Sequence, residues 1–400
     1  MNDEKVIKAV QNELEPLKPE LRELAINIHE NPELGRNEFK AVAWQLELLG
    51  KYGFELTEKY CDMDTAYKAV YRGGKPGPKI AVLAEYDALP GIGHACGHNL
   101  IAMMSVGTAV VLRRFADEYG AEIHLFGTPA EETDGAKVMM SRMGVFDDMD
   151  IAIMTHPAYE DTSSINSMAL ACRYVEFFGK TSHAASAPEN GLNALDAMIN
   201  LFNLINAMRQ QTKGDVRIHG IITDGGKAPN IIPDYTRGLF YIRSSKSAEL
   251  NDLLRRFENC AGGAALGTGT EYKISEAEID FKDTNSNMVL NRLACDNMER
   301  LGVGMKWLGD QPHMGSSDLG DVSYVSYVCP SIQLNSSMGS SPDGKPYFGH
   351  TVEFCKMSGS DPAIENSYKY IEGMALTAID IMTDPEILKA IKAEFDAIPR

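Results

Sequence analysis

Three apolar runs of strand type stand at intervals in residues 79–156, and each leads into side chains that can bind metal or carry protons. Lys79-Ile80-Ala81-Val82-Leu83 precedes Asp87, and Glu122-Ile123-His124-Leu125-Phe126 precedes Glu131-Glu132. A third run, Ile151-Ala152-Ile153-Met154, ends at His156. Between the first two lies His94-Ala95-Cys96-Gly97-His98, followed by a helical pattern from Asn99 to Phe115. Strands alternating with helices predict a parallel, doubly wound α/β sheet. Such sheets bind ligands outside the carboxyl ends of their strands, so the polar residues are expected along one active edge.

The remaining pattern divides the chain. Val6, Val10, Leu14, Leu17, Leu21, Leu24 and Ile28 repeat every three or four residues, as in one helix or two broken near Pro19. A further helix is expected over Glu38 to Tyr52. From about residue 168 the order becomes β-α-β-β-α-β. The strands are Arg173–Phe178, Val216–Ile222, Thr236–Ile242 and Glu271–Ser275. One helix presents Leu192, Leu195, Ile199, Phe202, Ile205 and Met208, the other runs from Ala248 to about Ala261, and Gly225-Gly226 and Gly262-Gly263 read as turns. This is the ferredoxin-like arrangement. It predicts an insert over 166–281 within an α/β domain made of 1–165 and 282–400, which resumes with a helix from Met288 to Leu301.

The 400 residues suit two domains. A formal net charge of -18 repels phosphate backbones, so nucleic acid is not an expected partner. No apolar run approaches the roughly 20 residues of a bilayer span, and the start lacks a signal-peptide core. Seven cysteines at irregular spacing do not form a disulfide framework. The expectation is a cytoplasmic, reduced protein without membrane association, in which a cysteine beside histidines can serve as a thiolate ligand.

Cys96 and His98, two apart at a strand-to-helix turn, can converge on one metal region. Thiolate with imidazole favours zinc or another borderline transition metal. Of the adjacent acids Glu131 and Glu132, one can bind metal while the other moves protons. His156 follows the third run, and His350 lies late in the chain in Phe348-Gly349-His350-Thr351. Taken singly, each also fits a structural role: a buried thiol, a capping histidine, a solvated acidic turn. Jointly, five such ligands at successive strand ends could hold two ions with one bridging group, an arrangement that activates a shared water toward a carbonyl.

At these residues the chain resembles the dinuclear-metal amidohydrolases and peptidases that include carboxypeptidase G, aminoacylases and plant auxin-conjugate hydrolases. The likeness is carried by His29-Glu30-Asn31-Pro32-Glu33-Leu34, Asp87-Ala88-Leu89-Pro90, His94 to His98, Pro129-Ala130-Glu131-Glu132, Gly179 to Ala185 and Gly315-Ser316-Ser317-Asp318. Most members have a histidine two residues before the position of Asp87 and an Asp bridge. Here those positions hold Glu85 and Cys96, as in the auxin-conjugate hydrolase branch. Cys-Gly-His-Asn99, with Lys227 to Pro233, is similar to p-aminobenzoyl-glutamate hydrolase subunits and related dipeptidase-like proteins.

The resemblance implies a zinc-peptidase-like α/β catalytic domain with an inserted lid and dimerisation domain. It implies two divalent ions per chain, zinc or manganese first and cobalt third. Cys96 (bridging), His98, Glu132, His156 and His350 would be the ligands. Glu131 would be general base and then general acid for a metal-bridging water. Asp87 would orient a ligand, and His183 in the lid would stabilise the oxyanion across a homodimer. Asn230 and Arg243 would meet the substrate. The implied reaction is hydrolysis of an amide bond to a small carboxylate-bearing amine, as in an N-acyl amino acid, an aminobenzoyl-glutamate-like amide or a dipeptide. The alternative is a non-catalytic or partner-dependent subunit of a heteromeric amidohydrolase. A nucleotide-binding reading is disfavoured, since Gly91-Ile92-Gly93 is not a phosphate loop.

Overall fold

In the computed structural model, residues 3–309, 322–340 and 344–398 are described. The amphipathic start forms α1 (Asp3–Leu14) and α2 (Lys18–Glu30). The break falls at the 3-10 turn Glu15–Leu17, which carries Pro16 and lies just before Pro19. Pro19 takes the first turn of α2, where an absent N–H leaves no bond unmade. Next come α3 (Phe39–Lys51), β1 (Glu55–Glu58), β2 (Tyr67–Arg72), β3 (Lys79–Ala84), α4 (His98–Tyr119), β4 (Glu122–Gly127), α5 (Ala136–Arg142) and β5 (Ile151–Ala158).

Residues Ser167–Asp283 form their own compact unit. Its elements are β6 (Ala169–Phe178), α6 (Ala194–Met208), β7 (Arg217–Asp224), β8 (Tyr235–Ser244), α7 (Ser247–Thr268) and β9 (Glu271–Glu276). The sheet is antiparallel throughout, in the order β7-β8-β6-β9. Two details depart from the periodicity. Leu192 precedes α6, whose buried face is Ala194, Ala197, Met198, Leu201, Ile205 and Met208, while Ile199 is exposed. The small alanines let that face close onto the sheet in place of the bulkier neighbouring stripe. Gly262-Gly263 is not a turn: α7 runs through it because Ala261, Ala264 and Ala265 are buried in the core of this unit, and the helix ends before Gly269.

The other unit comprises 3–166, 284–309 and 322–398 among the described residues. It resumes with α8 (Met288–Arg300), α9 (Val322–Ser326), β10 (Ser331–Ser337), α10 (Val352–Ser358), α11 (Asp361–Thr383) and α12 (Pro385–Ala397). Its sheet order is β1-β2-β4-β3-β5-β10. Strands β3, β4, β5 and β10 are parallel, but β2 runs antiparallel to both β1 and β4, so the sheet is mixed rather than wholly parallel. β1 is exposed at every residue, which is why no apolar run announced it. Helix α4 is long and apolar enough to match a bilayer span, contrary to the expectation that no run is. Nearly all of it is buried, and it forms the central helix of this core, packed by α2 and α11. Gly315-Ser316-Ser317-Asp318 lies outside the described residues.

Candidate metal centre

The segment between β3 and α4 is a chain of tight turns. The N–H of Leu89 donates to Gly93 O at 2.9 Å, that of Ala95 to Gly93 O at 2.8 Å, and that of Gly97 to His94 O at 3.1 Å. Gly97 has φ +80, and a Cβ there would lie 2.8 Å from the ring of Pro157. Only glycine fits both demands. The turn brings Cys96 and His98, the first residue of α4, toward one point. His156 reaches the same point, but from inside β5, which continues to Ala158 and pairs His156 with Asn335 of β10. Donor atoms of Cys96, His98 and His156 all lie within 4.8 Å of one another, with Cys96 Sγ 3.5 Å from His156 Nε2. His156 Nδ1 is 2.7 Å from Pro157 O. That contact places its proton on Nδ1 and leaves Nε2 as the donor atom.

A second set shares the cysteine. Donor atoms of Cys96, Glu132 and His350 also lie within 4.8 Å of one another. Glu132 follows Ala130, which adopts φ +60, and its Oε1 is 3.4 Å from His350 Nε2. His350 itself has φ +62, and its N–H donates to Ala95 O at 2.8 Å, tying the late histidine to the Cys96 turn. The structure thus brings the five expected ligands into two three-donor sets with Cys96 common to both. Glu131 stands beside them, its Oε2 3.8 Å from His98 Nε2.

The electrostatics favour positive charge at this point. Asp87 Oδ1 is 3.0 Å from His98 Nδ1, and Asp87 Oδ2 accepts from the N–H of Glu132 at 3.0 Å. Burial alone would raise the Asp87 pKa. The charge and hydrogen bond of His98, with the N–H groups of Glu132 and Glu131, hold it below the usual carboxylate range. Burial opposes protonation of His98, yet Asp87, Glu85 and Glu132 outweigh it and push the imidazole up to about 10. Buried atoms His98 Nε2 and Glu132 Oε1 have no hydrogen-bond partner among the described residues. Unpaired buried donors and acceptors are costly. A thiolate, three imidazoles and a carboxylate around that point fit divalent transition metals.

Four buried residues at this site carried no assigned role from sequence. Glu85, at the position where most relatives have histidine, has Oε2 3.4 Å from His98 Nε2, and its Oε1 forms a close ion pair with Lys137 Nζ at 2.6 Å. Neither side chain has exposed surface. Glu38 is equally buried, and burial pushes its carboxyl up. Asn99, the unusual residue after Cys-Gly-His, donates to Ser358 O at 2.8 Å and Ala25 O at 3.3 Å, a scaffold role.

In the 167–283 unit, His183 and Asn230 are neighbours. His183 bridges Ile231, and the N–H of Ala184 donates to Asn230 O at 3.0 Å. The His183 Nδ1 accepts from the N–H groups of Ala185 and Ser186, both at 3.2 Å. Arg243 lies in β8, with a buried Nε that lacks a hydrogen-bond partner among the described residues.

An α/β sheet with polar donors at its edge and an inserted ferredoxin-like unit define a metal-dependent hydrolase of the dinuclear class. A peptidase dimerisation domain is matched over residues 167–268. The chain is 34% identical over 346 residues to the Xaa-Arg dipeptidase of Mus musculus, covering 83% of this chain and 78% of that protein. It is 29% identical over 310 residues to one of the subunits of the p-aminobenzoyl-glutamate hydrolase of Escherichia coli K12, covering 72% of this chain and 63% of that subunit. Its fold matches a dinuclear metal-binding M20 peptidase of Bacillus subtilis with TM-score 0.68 at 18% identity, over 92% and 99% of the chains. The chain belongs to the M20 family of metallopeptidases and amidohydrolases.

Proposed function

We propose that this enzyme hydrolyses a small amide whose leaving amine carries a carboxylate, with dipeptides ending in a basic residue as the first substrates to test. The observation that carries the reading is Cys96's membership of two donor sets with Glu131 beside them. Cys96, His98 and His156 would hold one divalent ion, and Cys96, Glu132 and His350 the other. When bound, such a pair lowers the pKa of a shared water and polarises the scissile carbonyl. Asp87 holds the Nδ1 face of His98 and so fixes which ring nitrogen points inward. Glu131 takes a proton from the attacking water and delivers it to the leaving amine. His183, from the lid of a second copy, donates to the developing oxyanion, and Arg243 with Asn230 grips the substrate carboxylate. The names of the mouse and Escherichia coli relatives support dipeptide and aminobenzoyl-glutamate substrates respectively.

Zinc, manganese and cobalt all suit this mixed donor set. We propose further that the chain is a homodimer through the 167–283 unit and works in a reducing cytoplasm. None of the seven cysteines is joined in a disulfide. The deciding experiment is amine release from basic dipeptides, p-aminobenzoyl-glutamate, N-acetyl amino acids and an indole-acetyl amino acid. The protein is first dialysed against chelator, and each metal is then restored separately. Turnover lost with chelator and regained with one metal supports the reading. A chain that binds no metal sinks it. The Escherichia coli relative is a subunit of its enzyme, so activity gained only with a second protein would favour the heteromeric reading.

A further inference from the structure

Glu38 has no exposed surface and stands at the N-terminal boundary of α3. Its Oε1 accepts from the N–H of Ala130 at 2.8 Å. Ala130 is buried with φ +60, a region that residues bearing a Cβ rarely occupy, and it immediately precedes Glu131-Glu132. On the far side, the Ala130 carbonyl accepts from the N–H groups of Thr133 at 3.3 Å and Gly135 at 2.8 Å. The turn therefore closes on its own backbone at one end and on a side chain 92 residues away at the other.

The segment around Glu38 presses on the same turn. A Cβ at Gly35 would meet Thr133 Oγ1 at 2.6 Å and Ala130 Cα at 3.0 Å. Arg36 grips Asp134 Oδ2 through Nε at 3.0 Å and Nη2 at 2.7 Å. The N–H of Ala88 donates to Glu33 O at 2.8 Å, which fastens the loop carrying Asp87. Residues 33–38 thus tie together the two loops that present Asp87 and the Glu131-Glu132 pair.

We propose that Glu38 is a positioning residue for Glu131-Glu132: its carboxyl oxygen holds Ala130 in the left-handed conformation that aims both acids. This rests on the reading of Glu131 as proton carrier. The role calls for an acceptor oxygen, not a charge, and strain in the held residue is sustained by its surroundings. Removing the acceptor lets the turn relax. A glycine at 130 carries no such strain.

The test uses the metal-reconstituted enzyme, with kcat and KM measured separately and metal counted per chain. Glu38→Ala should lower kcat per metal-loaded chain at least tenfold while KM stays within threefold. Glu38→Gln, which keeps an acceptor oxygen, should stand within threefold of wild type. Glu38→Ala combined with Ala130→Gly should regain at least threefold over Glu38→Ala alone. An unchanged kcat per metal-loaded chain in Glu38→Ala overturns the proposal, as does Glu38→Gln being equally impaired or the double variant gaining nothing.

Should Glu38→Ala not fold, hydrogen exchange of a peptide spanning 128–133 decides. The Ala130 amide must be protected in both wild type and Glu38→Gln, and free exchange in wild type refutes the anchor. Glu131→Gln is assayed alongside. Normal turnover there removes the reading of Glu131 and leaves exchange to report on the anchor. A dead Glu131→Gln with fast Ala130 exchange defeats the anchor alone.

Discussion

His94, buried between His29 and the Cys96 turn, has its pKa lowered to about 3 by burial and by like charge on His98 and His29. A histidine in an unfolded chain titrates near 6.5. Between about pH 3 and 6.5 the unfolded state therefore binds a proton that the folded state refuses, and stability falls as pH drops. In chelator-treated protein, the wild-type Tm should fall more steeply from pH 6.5 to 4 than that of His94→Gln. Parallel acid limbs would show that His94 carries no such linkage. Lys137 gives a second test. Methionine there leaves the buried Glu85 carboxylate only His98 as an ion-pair partner among the described residues, at a cost of up to roughly 3–5 kcal/mol, and adding Glu85→Gln should restore more than half of it. Denaturant unfolding without metal measures both, and a double variant no better than the single one refutes the pairing. At the reaction itself, Glu131→Gln should bind both metals and lose at least about 100-fold in kcat.

The same residues mark what the sequence can disclose. Asp87, His98, Glu132 and His156 are legible because each stands just past or within an apolar strand run or opens the long apolar helix, and Cys96 because it lies two residues before that helix. Glu38 and Lys137 are not. The partner of Glu38 lies 92 positions away, and Lys137 meets Glu85 only after β3 and α5 have come together. No local pattern encodes either contact.

At the scale of elements, the strand-to-helix turn at 94–98 carries the most chemistry in the fewest residues. Its glycine has positive φ and is pressed against Pro157, so Gly97→Ala brings both strain and displacement. The expected result is a stability loss of roughly 1–3 kcal/mol from backbone strain, seen as a lower Tm, and loss of bound metal on elemental analysis. A Gly97→Ala protein that keeps two metals per chain would exonerate the turn. Element types follow from the pattern wherever the chain is apolar, as in β3, β4 and β5, which are buried on both faces. They fail where it is not: β1 is exposed throughout, and α7 passes two glycines that would ordinarily stop it. In α6 the helix was legible but not its buried face, because small alanines won the sheet contact over larger neighbours. Propensity and hydropathy do not encode which of two apolar stripes fits more closely.

For the whole molecule, the 167–283 unit has an edge strand, β7, that among the described residues pairs only with β8 and exposes 61% of Ile221. An unpaired apolar edge invites another strand. Sedimentation should give twice the chain mass of 43.9 kDa, and Ile221→Asp should shift the population toward monomer. A monomeric wild type would remove the homodimer. The insert itself was readable as a change in element order near residue 168. The pairing it interrupts was not, since β5 and β10 meet in parallel with the whole insert between them in sequence. That pairing gives the chain a schedule of synthesis. A ribosome that has made β5 but not β10 has built a buried apolar strand whose edge has no neighbour, and His350 is still unmade. Premature termination before residue 331 should therefore yield more than a dead enzyme: a sticky sheet unable to complete its second donor set, fit for degradation or aggregation.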